Sequence, residues 1–167
     1  MPRSFDISTE WPASVEQIHA AFGCEDYWLA RLEAGRATTT LDSLTVDDDG
    51  TVTACVIQLL GRQLLPGLVA KLIPGELKIV HSETWRPVGD RQVRGQFNIS
   101  ASPGLGSGRA EAWLEPAGNG SQIRYVGRVE VKIPLLGGKF EKSMAADLAE
   151  SFPALQRFTT TWIAEHA

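Results

Sequence analysis

Cysteine is scarce in this sequence. Cys24 and Cys55 are the only two, and no CxxC spacing relates them. That excludes a disulfide scaffold or a dithiol redox motif, and reads as two small apolar side chains in a reducing compartment. The three histidines, His19, His81 and His166, show no metal-ligand spacing to each other or to the cysteines, so no metal is expected. Lysine and arginine form no cluster, and with a net charge of −4 and a pI near 5.4 nothing attracts a polyanion. Nucleic acid is not an expected partner. No segment approaches the roughly 20 apolar residues that cross a bilayer, and the opening MPRSFDISTEW lacks the apolar run of a secretory signal. The expected location is therefore the cytoplasm, without a transmembrane segment.

Several binding motifs are missing as well. The stretch IPLLGGKFEK, Ile133 to Lys142, holds two glycines and a lysine. A phosphate loop needs a glycine five positions before Gly138 and a hydroxyl after the lysine, because backbone N–H groups and one hydroxyl converge on phosphate and magnesium. Ile133 and Phe140 occupy those places. The glycines mark instead where a strand stops and a helix begins. The acidic turn Asp47-Asp48-Asp49-Gly50 fails the EF-hand spacing, which would put ligands at Thr45 and Val56. The run SPGLGSG lacks the strand-to-helix setting of a dinucleotide loop, and Asn119-Gly120-Ser121 reads as a hairpin turn. No cofactor is expected.

The 167 residues fit one domain, 1–167. Arg3 to Thr9 reads as a first strand with Phe5 and Ile7 on one face. From Ala13, Val15, Ile18 and Phe22 recur at helical spacing, with Pro12 and Ser14 near the start and Gly23 at the end. A second helix, Glu25 to Glu33, presents Trp28, Leu29 and Leu32. Two-residue alternation and turn residues then mark strands at Ala37 to Val46, Thr51 to Leu60, Leu77 to Pro87, Gln92 to Ala101, Arg109 to Pro116 and Gln122 to Ile133. Short connections make the sheet antiparallel. Lys139 to Glu165 reads as a helix of about seven turns. Its apolar stripe is Phe140, Met144, Leu148, Phe152, Leu155, Phe158 and Trp162, and Pro153 should bend it.

This α+β order, a strand, two short helices, six antiparallel strands and a long C-terminal helix, resembles the helix-grip fold of the START-like (SRPBCC) superfamily. LKIVHSETWRP, the hairpin AWLEPAGNGSQIRYVGRVEVKIPLLGGKFE and the helix after it resemble an actinobacterial family known only as a domain of unknown function. The resemblance spans nearly the whole chain, and its most specific part is Val129 to Glu141. It implies a curved antiparallel sheet of about seven strands wrapped around the C-terminal helix, enclosing a mostly apolar cavity that binds lipids, sterols, hormones or polyketides in different members. It implies no single chemistry.

In such an arrangement, His81 and Glu83 share a strand face with Leu77, Ile79 and Trp85. Two ionisable groups on an apolar face are either a cavity's polar anchor or, if the register slips by one residue, solvated. Phe97, beside Val93, and Tyr125, beside Ile123 and Val129, are further wall candidates, and Met144, Leu148 and Phe152 are candidates for the roof. Trp113 alternates with Arg109, Glu111 and Glu115, which puts it on the outer face. Between Arg62 and Leu77 the segment RQLLPGLVAKLIPGEL is rich in leucine. It reads either as a packed loop helix or as a lid whose residues 64–73 touch a membrane transiently during ligand exchange.

With no GxSxG elbow and no metal set, the leading reading is a non-catalytic carrier or sensor of a hydrophobic small molecule or lipid. One alternative is a cyclase or dehydratase using His81 and Glu83 as acid and base; another is a protein-interaction module acting through the lid or Trp113. The oligomeric state is not encoded in any feature of the sequence.

Overall fold

The computed structural model describes residues 3–33, 38–60, 71, 77–102, 104–132 and 137–166; structural statements below concern those residues. Its strands are β1 (Arg3–Trp11), β2 (Thr38–Val46), β3 (Val52–Leu60), β4 (Leu77–Pro87), β5 (Val93–Ser102), β6 (Gly106–Ala117) and β7 (Gly120–Val131). Helices α1 (Val15–Phe22) and α2 (Glu25–Glu33) follow β1, and α3 (Gly137–Glu165) ends the chain. The seven strands form one antiparallel sheet in the order β1-β7-β6-β5-β4-β3-β2. From β2 to β7 each strand pairs with its chain neighbour, and the β1–β7 pair joins distant parts of the sequence, from Arg3 opposite Val129 to Trp11 opposite Ser121.

Local chemistry explains the boundaries. Ser14 caps α1 by accepting from the Gln17 backbone, while the Gln17 side chain accepts from the Ser14 N–H, so two otherwise orphaned donors are satisfied. Between β6 and β7 the turn is Gly118-Asn119, and Gly118 takes φ +54°, which L side chains adopt only with strain. β1 and β6 are longer than the sequence pattern predicts, with β1 ending at Trp11 and β6 starting at Gly106. The β6 extension is glycine and serine, which carry no alternation, yet Gly106 and Ser107 pair with both Ala101–Ser100 and Val131–Glu130.

The inner face of the sheet holds most of the core. Trp11, Ile18, Phe22, Tyr27, Trp28, Trp85, Leu114 and Ile123 form one buried cluster where α1 and α2 close an end of the sheet. A smaller cluster around Leu77, Ile79, Ala101 and Leu105 lies apart from it. Leu29, expected to face inward, is 49% exposed; Tyr27 takes the buried place instead. α3 runs unbroken through Pro153 and crosses β1 and β7. The Gln156 side chain fastens it to β1, accepting from Thr9 Oγ1 at 2.7 Å and donating to the Glu10 carbonyl. Glu141 fastens its first turns, accepting from the Val131 N–H at 2.9 Å. The segment 62–77 expected as a lid or loop helix lies outside the described residues except for Lys71 and Leu77.

Candidate functional site

The register of β4 is fixed by β3 and β5, with Val56 opposite His81 and Phe97 opposite Glu83. It turns His81, Glu83 and Trp85 toward the inner face. Glu83 is 1% exposed, an unusual place for a carboxylate unless it is paired. Its Oε1 accepts from the Trp85 indole at 2.7 Å, and its Oε2 lies 3.0 Å from His81 Nε2. From α2, Arg31 brings Nη1 to 3.6 Å from Oε1, within ion-pair range and too far for a hydrogen bond. The Arg31 guanidinium also lies over the Trp28 ring, 4.5 Å from its centroid.

These contacts set the charge state. Burial pushes the Glu83 carboxyl up, but the Arg31 charge and the hydrogen bonds from His81 and Trp85 outweigh it and hold the group down at about 2. Arg31 is held in its charged form: burial acts against it, and the facing Glu83 carboxylate prevails. Because an ionised carboxylate faces Nε2, that nitrogen carries the His81 proton. Burial, and then the Glu83 charge, push the Tyr125 hydroxyl well above its ordinary range, so it stays neutral.

Aromatic rings surround the group. Phe97 meets Trp85 edge-on at 5.4 Å and His81 at 6.1 Å, and lies 5.8 Å from Tyr125. Tyr125 stacks on Phe152 of α3 at 4.0 Å and 4°. Tyr27 shares a 2.6 Å hydrogen bond with Thr159 of α3 and contacts Phe158 and Trp162. Trp85 can lean over β5 only because residue 95 is glycine: a Cβ there would lie 2.7 Å from Trp85 Cζ3. The floor among these rings mixes small and large residues. On the inner face Gly95, Gly108, Ala110, Ala112 and Gly127 alternate with Phe97, Ile99, Tyr125 and Val129, and large side chains lean over small positions, Trp85 over Gly95 and Ile99 over Gly108. Phe97, Ile99 and Ala110 remain only half-buried at that centre.

Of the residues expected at a site, His81, Glu83, Trp85, Phe97, Tyr125 and Phe152 are brought together. The side chains of Met144 and Leu148 lie outside the described residues. Trp113 lies on the outer face as expected, between the guanidinium groups of Arg94 and Arg124 at 5.4 and 6.0 Å. Sequence reasoning missed Arg31, Tyr27 and Thr159. Arg31 stands four residues after Tyr27, which places both on one side of α2 and was the available signal. The outer face also carries a groove of about 480 Å³ lined by Gln96, Asn98, Arg109, Glu111 and Arg128. Its walls are exposed side chains of both signs, with no buried group to fix a ligand, so the inner face is the candidate site.

A family described as "Protein of unknown function (DUF2505)" matches residues 6–163. The chain belongs to this family. An uncharacterised protein of Mycobacterium tuberculosis is 38% identical over 170 residues, covering 98% of both chains, and one of Mycobacterium bovis matches equally. Several solved structures share the helix-grip fold of this DUF2505 chain. A protein of Thermus thermophilus aligns at TM-score 0.62 and 11% identity over 99% of both chains. Ara h 8.0201 aligns at 0.57 and 11% over 99% of both. Norcoclaurine synthase of Thalictrum flavum aligns at 0.52 and 17% over 100% of this chain and 89% of its own. At these identities the likeness concerns the fold.

Proposed function

We propose that this DUF2505 protein binds a hydrophobic small molecule between the sheet and α3, with Arg31, Glu83 and His81 as its polar anchor. The observation that carries the reading is the polar group itself: Arg31, Glu83 and His81 stand buried or half-buried among aromatic side chains on the inner face, where Phe97 and Ile99 beside them are only half-buried. Apolar walls with a few convergent polar groups are the usual make-up of a ligand site.

A catalytic role for His81 and Glu83 is less well supported. A carboxylate held at about 2 carries no proton to donate at neutral pH and is a weak base. Norcoclaurine synthase, solved with dopamine and hydroxybenzaldehyde, shares the fold at 17% identity, which leaves the chemistry to each protein's own residues.

Native mass spectrometry of the chain expressed in a mycobacterial host, followed by organic extraction, tests binding directly. The expected result is an added mass that disappears on extraction and is recovered as an apolar compound. A chain that emerges empty, and that also fails to bind the neutral dye Nile red, overturns the reading.

A further inference from the structure

Arg31 has an unmade bond. Its Nη1 is buried and has no hydrogen-bond partner, although the carboxylate of Glu83 lies 3.6 Å away. Both oxygens of that carboxylate are engaged, Oε1 by Trp85 and Oε2 by His81. Buried donors are almost always satisfied, so one left open among aromatic side chains of the inner face awaits an acceptor from outside the chain. Resting on the binding reading above, we propose that the ligand is an apolar molecule bearing one uncharged oxygen, a hydroxyl or a carbonyl, which accepts from Arg31 Nη1.

The charge balance selects the head group. Arg31 and Glu83 already form a neutral pair. Among the described residues, the other titratable groups facing them from the surrounding elements are His81 of β4, Tyr27 of α2 and Tyr125 of β7; the two tyrosines stay neutral, and His81 already donates to Glu83. A carboxylate head would add a second negative charge beside Glu83, and among the described residues no second buried lysine or arginine offsets it. An amine would set a donor and a positive charge against the guanidinium. A plain hydrocarbon would leave Nη1 unmade. A neutral oxygen satisfies the donor and leaves the net charge of the site unchanged, and the Tyr125 hydroxyl, which has no hydrogen bond among the described residues, offers a second polar contact on the same face.

Displacement of Nile red by ten-carbon compounds tests this on the full chain. 2-Decanone and 1-decanol should displace the dye at least tenfold more effectively than decanoate or decylamine, and Arg31→Met should erase that preference. Decanoate matching the ketone, or a preference that survives Arg31→Met, overturns the head-group assignment and leaves the binding reading standing. No binding of Nile red or of any decyl compound overturns both. Because Arg31→Met risks misfolding, the wild-type chain supplies a second readout: the Arg31 guanidinium nitrogen resonances should shift with 2-decanone and stay put with decanoate. Unmoved resonances under bound ketone overturn the assignment.

Discussion

Glu83 decides what Arg31 can do, and each is unfavourable without the other. Glu83→Gln leaves a guanidinium in an apolar interior, and breaking a buried pair by removing one partner costs about 3–5 kcal/mol. Urea unfolding should show that loss, with the Glu83→Gln/Arg31→Met double variant less destabilised than the two single losses combined; simple additivity would mean that the two do not interact. The folded carboxyl sits near 2, below its ordinary 4.5, so its contribution is fully present above about pH 4.5 and fades as pH falls toward 2. A shift of that size corresponds to about 3 kcal/mol, and Glu83→Gln should flatten this acid limb of the stability profile. A limb unchanged in the variant assigns it to other carboxylates. His81 and Glu83 were legible in the sequence because two ionisable residues alternated with apolar ones. Arg31 was not, since an arginine on a short helix reads equally well as a solvated one until the facing carboxylate is known.

Elements were legible where side chains alternate, and illegible where backbone spacing rather than side chains sets the structure. The start of β6 is glycine and serine and reads as a loop, yet neighbours on both sides hold it as strand, and Gly108 leaves room for Ile99, whose Cγ2 would lie 2.7 Å from an added Cβ. Gly95 does the same beneath Trp85. Gly95→Ala should push the indole off Glu83 and cost about 1–3 kcal/mol, the usual penalty of overpacking, with a change in tryptophan fluorescence that an unaltered Trp85 would not give. Between helices, the buried Tyr27–Thr159 hydrogen bond ties α2 to α3. Tyr27→Phe strands the Thr159 hydroxyl and should cost about 1–3 kcal/mol in thermal or urea unfolding. Adding Thr159→Val should recover part of that loss; no recovery would mean that the tyrosine acts through packing alone.

At the scale of the whole molecule, the architecture was legible because element order alone separates a helix grip from other α+β folds, and no helix among the described residues is long and apolar enough to cross a membrane. The order also explains how the grip is held. β1 and β7 close the sheet across most of the chain, and α3 is fastened to β1 by Gln156, to β7 by Glu141 and to α2 by Thr159. The rings of Phe152 and Tyr125 stack between α3 and β7, so a molecule held beside them would touch both layers at once. Binding restricted to the folded chain stabilises all of it together, by about 2.7 kcal/mol at a ligand concentration a hundredfold above Kd. For a chain of this size each kcal/mol moves Tm by about 2–4 °C, so the protein isolated with its ligand should melt roughly 5–10 °C above the same protein after solvent extraction and refolding. Adding the extract back should restore the higher Tm in the wild type and only partly in Arg31→Met. Equal melting before and after extraction, with the fold intact, would show that nothing bound between the sheet and α3 stabilises the grip.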